Sequence, residues 1–338
     1  MIYVKVCLSC YKTLNTLEFK QAFIPPYGDK TEVNMKIRQQ AFEPNKKMLK
    51  GGLHCHTTRS DGSGDPDAVI RYHYDHGYDF LSVTDHNIYN YENFAPDVPI
   101  TIVPGFEFGL DNDAGCEDYH TVCLGQEKEN GNPYEQDEII CQQTKTQEEH
   151  QKFLDEFRAN NQLIFYCHPE WSGTPARSFE NFRGYFAYEI YNSGSHFDND
   201  MDKDASYWDE LLGQGKRIFG VAVDDGHPMW HHCNGWVMVN AENNVKDILN
   251  ALENGKFYSS CGPEIYDFYV DGNTVVVECS GVSLIRLHCA KHPTRVVRSD
   301  DKGITHAEFK INDSYPYIRI SIVDKDGKKA WTNPIFLD

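Results

Sequence analysis

No run of apolar residues in this chain approaches the roughly 18 needed to cross a membrane, so a spanning helix is not expected. Its opening, Met1-Ile2-Tyr3-Val4-Lys5-Val6, alternates like a strand and lacks the apolar stretch of a signal peptide, which makes cytoplasmic the expected location. Basic charge is scarce: 32 Lys and Arg stand against 51 Asp and Glu, a formal net charge of −19. Such a surface repels phosphate backbones and no basic groove offsets it, so nucleic acid is not an expected partner. Internal repeats and low-complexity tracts are absent. The 11 cysteines are odd in number and scattered, which reads as reduced thiols and not a disulfide framework. Cys7-x-x-Cys10 has redox or zinc spacing, yet no second pair or nearby histidine completes it. Cys55, Cys123 and Cys167 read as small packing residues.

What is present is a chain with 40% hydrophobic residues and, at 338 residues, length for two domains. Residues 1–50 contain strand-like pieces at Ile2–Cys7, Leu17–Phe23 and Glu32–Ile37 and read as a β-rich lead-in. From residue 51 to about 262, short apolar strands alternate with helices. Strands are predicted at Gly52–His56, Phe80–Val83, Ile100–Val103, His120–Leu124, Leu163–Tyr166, Tyr185–Ile190, Ile218–Val223 and Trp236–Val239. Helices are predicted at Asp65–His76, Thr146–Asn160, Lys203–Leu212 and Val245–Asn254. Alternation of this kind argues for an α/β, barrel-like fold with parallel strands. The Glu127–Lys145 stretch is polar and reads as an exposed excursion. Residues 263–338 lose the helical pattern and read as a small antiparallel β-sandwich, with turns at Asp271-Gly272-Asn273 and Asp326-Gly327.

The chemistry concentrates in residues 52–87. His54 and His56 stand two apart on an extended segment, so both imidazoles project to one side and can grip one ion. Asp61 follows in a turn, a helix capped by Asp65 and Pro66 comes next, and Thr84-Asp85-His86 ends the following strand. Candidate ligands recur farther on: Glu107, His120, His168-Pro169 and Asp225-x-His227. Nitrogen and oxygen donors of this kind suit zinc, manganese or iron. Two or three such ions sharing a carboxylate lower the pKa of a bound water and clamp both oxygens of a displacement, which points to hydrolysis.

In this order the motifs resemble the PHP (polymerase and histidinol phosphatase) domain, over residues 52–263. The resemblance implies a distorted (β/α)7 barrel holding up to three divalent ions. It implies that His54, His56, Glu107 and Asp225 hold the first. Glu107 would bridge to a second held by His120 and His168, while Asp61, His86 and His227 would hold a third. Asp85 would orient a ligand, as metal sites usually require. Asp224 stands beside Asp225, and the choice between them follows the family's Asp-x-His spacing. Gly255-Lys256-Phe257-Tyr258-Ser259-Ser260-x-Gly262-Pro263 and the tail Ala330-Trp331-Thr332-Asn333-Pro334-Ile335 look like the carbaryl-hydrolase-like branch.

Substrate contacts are less marked. Arg59 and Arg177 could each reach a phosphate or carboxylate oxygen, and His196, His231 and His232 are candidates for a general acid. His73, His76, His150, His288, His292 and His306 read as structural or solvent-exposed; Trp171, Trp230 and Trp236 could line a pocket, with core packing the expected role. The leading expectation is a metal-dependent phosphoesterase acting on a small-molecule substrate. The rivals are the same site hydrolysing a carbamate, amide or carboxylic ester, and a metal-stabilised binding module without turnover. Oligomeric state is left open.

Overall fold

The computed structural model describes residues 39–43, 47–109, 118–140, 146–290, 295–299, 303–312 and 314–337. The strand pieces expected before residue 38 and Cys7-x-x-Cys10 lie outside the described residues, as does His292. Three sheets and several helices build a mixed α/β molecule.

A ten-stranded sheet carries the first half of the site. At its centre Met48–Gly52 runs antiparallel to Trp236–Asn240 and parallel to Phe80–Leu81, which in turn runs parallel to Thr101–Ile102. The helix Pro66–Asp75 links the first two parallel strands. Its start follows from local chemistry: Asp65 accepts a hydrogen bond from the Ala68 amide at 3.0 Å, and Pro66 supplies a preset φ at the first helical position. Val69, Ile70 and His73 form its buried stripe.

A five-stranded sheet carries the second half, in the order Gly105–Phe108, Thr121–Leu124, Leu163–Tyr166, Tyr185–Asn192 and Phe219–Val223. The last three are mutually parallel, whereas Thr121–Leu124 is antiparallel to both neighbours. The expectation of parallel strands throughout is therefore corrected. No helix intervenes between Phe106 and Thr121 among the described residues, and a chain that returns without a crossover pairs antiparallel. Glu107 is likewise inside a short buried strand and not beyond the end of one. The polar 127–140 stretch is partly internal: Asn132 and Tyr134 are buried, Tyr134 against Tyr89 and Phe106.

Beyond residue 263 the strands are antiparallel. Ile265–Asp271, Thr274–Val282 and Ile304–Lys310 form a four-stranded sheet with Gln39–Gln40. Leu284–His288, Tyr317–Val323 and Lys329–Thr332 belong to the ten-stranded sheet, because Lys329–Thr332 pairs with Phe257–Ser260. One ladder thus runs from the tail into the strand that precedes His54. Phe268, Val277, Ile285, Ile318, Ile320 and Ile322 fill the space between the two layers.

Candidate metal centre

The nine side chains singled out by their motifs converge at one end of the two sheets. His54 and His56 follow Met48–Gly52, His86 follows Phe80–Leu81, His168 follows Leu163–Tyr166, and Asp225 and His227 follow Phe219–Val223. Since Thr121–Leu124 runs backwards, the residue it brings to this end is the one before its start, His120.

The innermost group is His54, His56, Glu107 and Asp225. His54 Nε2 lies 3.2 Å from His56 Nε2, 3.2 Å from Glu107 Oε2 and 3.3 Å from Asp225 Oδ1. His56 Nε2 lies 3.2 Å from Glu107 Oε2 and 3.1 Å from Asp225 Oδ1. Five of the six separations among these four donor atoms are thus 3.1–3.3 Å, and all four lie within 4.8 Å of one another. The protonation pattern agrees. His54 Nδ1 stands 2.7 Å from Glu189 Oε1, so in the neutral ring it carries the proton and leaves the Nε2 lone pair for an ion. Glu107 Oε2 has three imidazole nitrogens at 3.0–3.2 Å but no directed hydrogen bond. Such an oxygen suits a cation.

Two further groups surround this one. Glu107 Oε1 lies 2.9 Å from His120 Nδ1 and 3.3 Å from His168 Nε2. Asp61 Oδ2 lies 3.3 Å from His227 Nε2 and 3.6 Å from His86 Nε2, and Asp61 Oδ1 lies 3.7 Å from His56 Nδ1. Glu107 thus joins the groups through its two oxygens. Burial raises the cost of charge on Glu107 and Asp225, but the surrounding imidazoles outweigh it and hold both carboxyls well below their ordinary range. His56 is disfavoured as a cation by burial, yet Asp225 and Glu107 lift it to about 9. The pocket is built to attract positive charge. Holding it open costs backbone strain, since His168 has φ +27° and Asp225 φ +49°. Non-glycine residues in that region cost on the order of 1–3 kcal/mol each.

Asp85 makes no contact with the cavity. It accepts hydrogen bonds from the Thr57 amide (2.7 Å), the Thr57 hydroxyl (2.8 Å) and Ser60 (2.9 Å), which pins the loop between His56 and Asp61. Asp224 accepts three backbone amides, from Cys233, Asn234 and Gly235, while Asp225 faces the imidazoles. Arg59 is not brought to the cavity: it pairs with Asp137, donates to Asn90 at 3.1 Å and lies over Phe94. Arg177 is exposed on the short helix Ala176–Phe179, away from the residues that line the cavity.

The site opens into a cavity of about 550 Å³, walled by Asp61, His120, Trp171, Ser195, Asp198 and His231 among others. Its described lining holds no Lys or Arg. Trp171 is corrected from core to wall: it is 49% exposed and stands edge-on to His168 at 5.0 Å. Trp230 is also exposed, and Trp236 is half-buried beneath Lys50. Of the three general-acid candidates, only His231 lines this cavity, with Nε2 3.1 Å from Asp198 Oδ1. His196 borders a different hollow and His232 is enclosed elsewhere.

Two contributors escape motif reading, Glu189 and Asn192. Glu189 also accepts the His168 amide at 2.8 Å, and Asn192 Nδ2 links Glu189 to Asp225 Oδ2, each at 3.0 Å. Their signal is a carboxylate in the middle of an otherwise apolar strand, Tyr185–Asn192, where an unpaired charge would be costly.

No family model matches the chain, and no curated protein matches it. Among solved structures it is similar to a two-domain protein of Bacteroides vulgatus, described as containing a predicted PHP-like metal-dependent phosphoesterase. That likeness has 14% identity and a TM-score of 0.47, and covers 87% of this chain and 98% of that one. An amidohydrolase of Chromobacterium violaceum with bound sulfate and no metal shares 16% identity, at a TM-score of 0.39 over 53% of this chain and 87% of that one. A Bifidobacterium adolescentis protein named as a metal-dependent phosphoesterase shares 10%, at a TM-score of 0.38 over 55% and 89%.

Proposed function

We propose that this chain is a PHP-type metal-dependent hydrolase of small phosphate esters, built on a distorted (β/α)7 barrel. The observation that carries it is the close cluster of four donor atoms from His54, His56, Glu107 and Asp225, joined through Glu107 to His120 and His168. In this reading the three groups hold two or three zinc, manganese or iron ions. Bound there, such ions supply an acidified water and positive charge for the nonbridging phosphate oxygens.

The protein's own groups set the conditions. Glu189 keeps His54 in the tautomer that offers Nε2, and Asn192 fixes the second oxygen of Asp225. Asp85 holds the loop that delivers Asp61. His231, which lines the cavity and is paired with Asp198, is assigned as the proton donor to the leaving-group oxygen. The described lining holds no cationic side chain to meet a substrate's charge, which favours a small monoanionic or dianionic head over a polyanion.

Chelation should abolish hydrolysis of p-nitrophenyl phosphate, with manganese or zinc restoring it, and His54→Ala should be inactive with the metal present. Full turnover by a verified metal-free sample defeats the proposal. The same missing cationic cradle keeps a second reading in play, hydrolysis of a carbamate, amide or carboxylic ester. Aryl esters cleaved in place of phosphate esters would establish it. Failure of every substrate with the ions bound would favour a binding module.

A further inference from the structure

We propose that His73, Asp224 and His232 form a separate, fully enclosed cation site that holds one zinc ion and braces the metal centre from behind. The three side chains are 0%, 2% and 2% exposed, and none belongs to the nine of the open cluster. They come from three segments: the helix Pro66–Asp75, the turn after Phe219–Val223, and the loop after Met229–His231. One nitrogen or oxygen from each lies within 4.8 Å of the others.

Three buried ring nitrogens here have no hydrogen-bond partner, which suits a bound cation. His73 Nδ1 is 2.8 Å from the Val69 carbonyl, which can only accept, so Nδ1 carries the proton of the neutral ring. His73 Nε2 then turns a lone pair toward Asp224 Oδ2, 3.5 Å away. A lone pair facing a carboxylate repels it unless positive charge lies between. His232 stands beside them, its ring 5.2 Å from that of His73, and neither of its nitrogens has a hydrogen-bond partner. Leaving such groups bare in a dry interior is costly. Burial above all pushes His232 down to about 3, so its lone pair stays available. Two imidazoles and one carboxylate form a donor set for zinc, not for calcium or magnesium, which take mainly oxygen.

The position gives the ion a task. Asp224 directly precedes Asp225, and Gly226 packs its backbone on the His232 ring so closely that an added Cβ would lie 2.4 Å from Nδ1. An ion held by Asp224 and His232 therefore clamps the underside of the turn that presents Asp225 and His227 to the cavity.

The test is metal content of the full chain by plasma mass spectrometry, before and after native chelation. The open cluster, with the Asp61 side chain 53% exposed, should be stripped, leaving one zinc per chain. His73→Gln and His232→Gln should each lose that retained zinc, whereas Asp61→Ala should keep it. Folded wild-type protein that retains no zinc after chelation overturns the proposal and assigns the cluster a proton instead. So does full retention by folded variants. Should the variants fail to fold, zinc-edge absorption of the chelated wild type decides: two imidazoles and a carboxylate support the site, other ligands or no edge reject it. The retained ion is read independently of hydrolysis, so an inactive enzyme leaves this result standing.

Discussion

Glu189 determines how the first histidine of the centre presents itself. Its carboxylate receives His54 Nδ1, the His168 amide and Asn192 at once, with no exposure to solvent. Glu189→Ala should weaken metal binding about 10- to 100-fold, as loss of a ligand's outer partner does, and Glu189→Gln should recover part of it because an oxygen still accepts from His54. Metal titration checks this, and unchanged affinity in both variants would remove Glu189 from the site. A second buried residue links the fold to pH. His150 is enclosed against Tyr185 (3.2 Å), and burial, aided by His120, pushes it down from 6.5 to about 3. Unfolded chain therefore takes up a proton near pH 6.5 that the folded chain refuses until about 3. His150 therefore contributes stability that is lost as pH drops through this window, roughly 2 kcal/mol between pH 7 and 5. Urea unfolding at the two pH values should show a smaller loss in His150→Gln than in the wild type, and equal losses would refute the assignment.

At the scale of elements, end signals made the longer helices legible. Asp65, Thr146 and Asn244 each cap a helix with a side-chain oxygen, and the helices they open lie within a residue or two of the expected spans. Removing the first cap by Asp65→Ala should cost about 1 kcal/mol and lower the thermal midpoint, since only solvent replaces the bond to Ala68. An unchanged midpoint would mean that packing of Val69 and Ile70 alone holds the helix start. Short pieces were not legible. Ala176–Phe179 is a single turn, and Gly105–Phe108 is a buried strand of four residues directly after a proline. Neither is long enough for a period to show.

At the scale of the molecule, the tail and the site share one sheet. Lys329–Thr332 covers the edge of Phe257–Ser260, and Arg319, buried over Trp208, pairs with Asp209 on the helix Asp204–Gly213. A chain ending at residue 262 would bare that strand edge and leave Asp209 unpaired, so it should aggregate or unfold without cooperativity. Light scattering and calorimetry against the full chain test this; a soluble, cooperatively melting fragment would show that the chain up to residue 262 stands without the tail.

Chain order and spacing were enough to pick out nine side chains that the fold brings together, because imidazoles and carboxylates at strand ends leave a local signature. Sequence alone also gave the alternation of strand and helix, through periodicity and caps. It did not reveal which nitrogen of His54 faces inward, that Thr121–Leu124 runs backwards, or that Arg59 is engaged by Asp137 and Asn90. Those were decided by contacts between residues far apart in the chain, where the geometry of packing, not local preference, sets each partner.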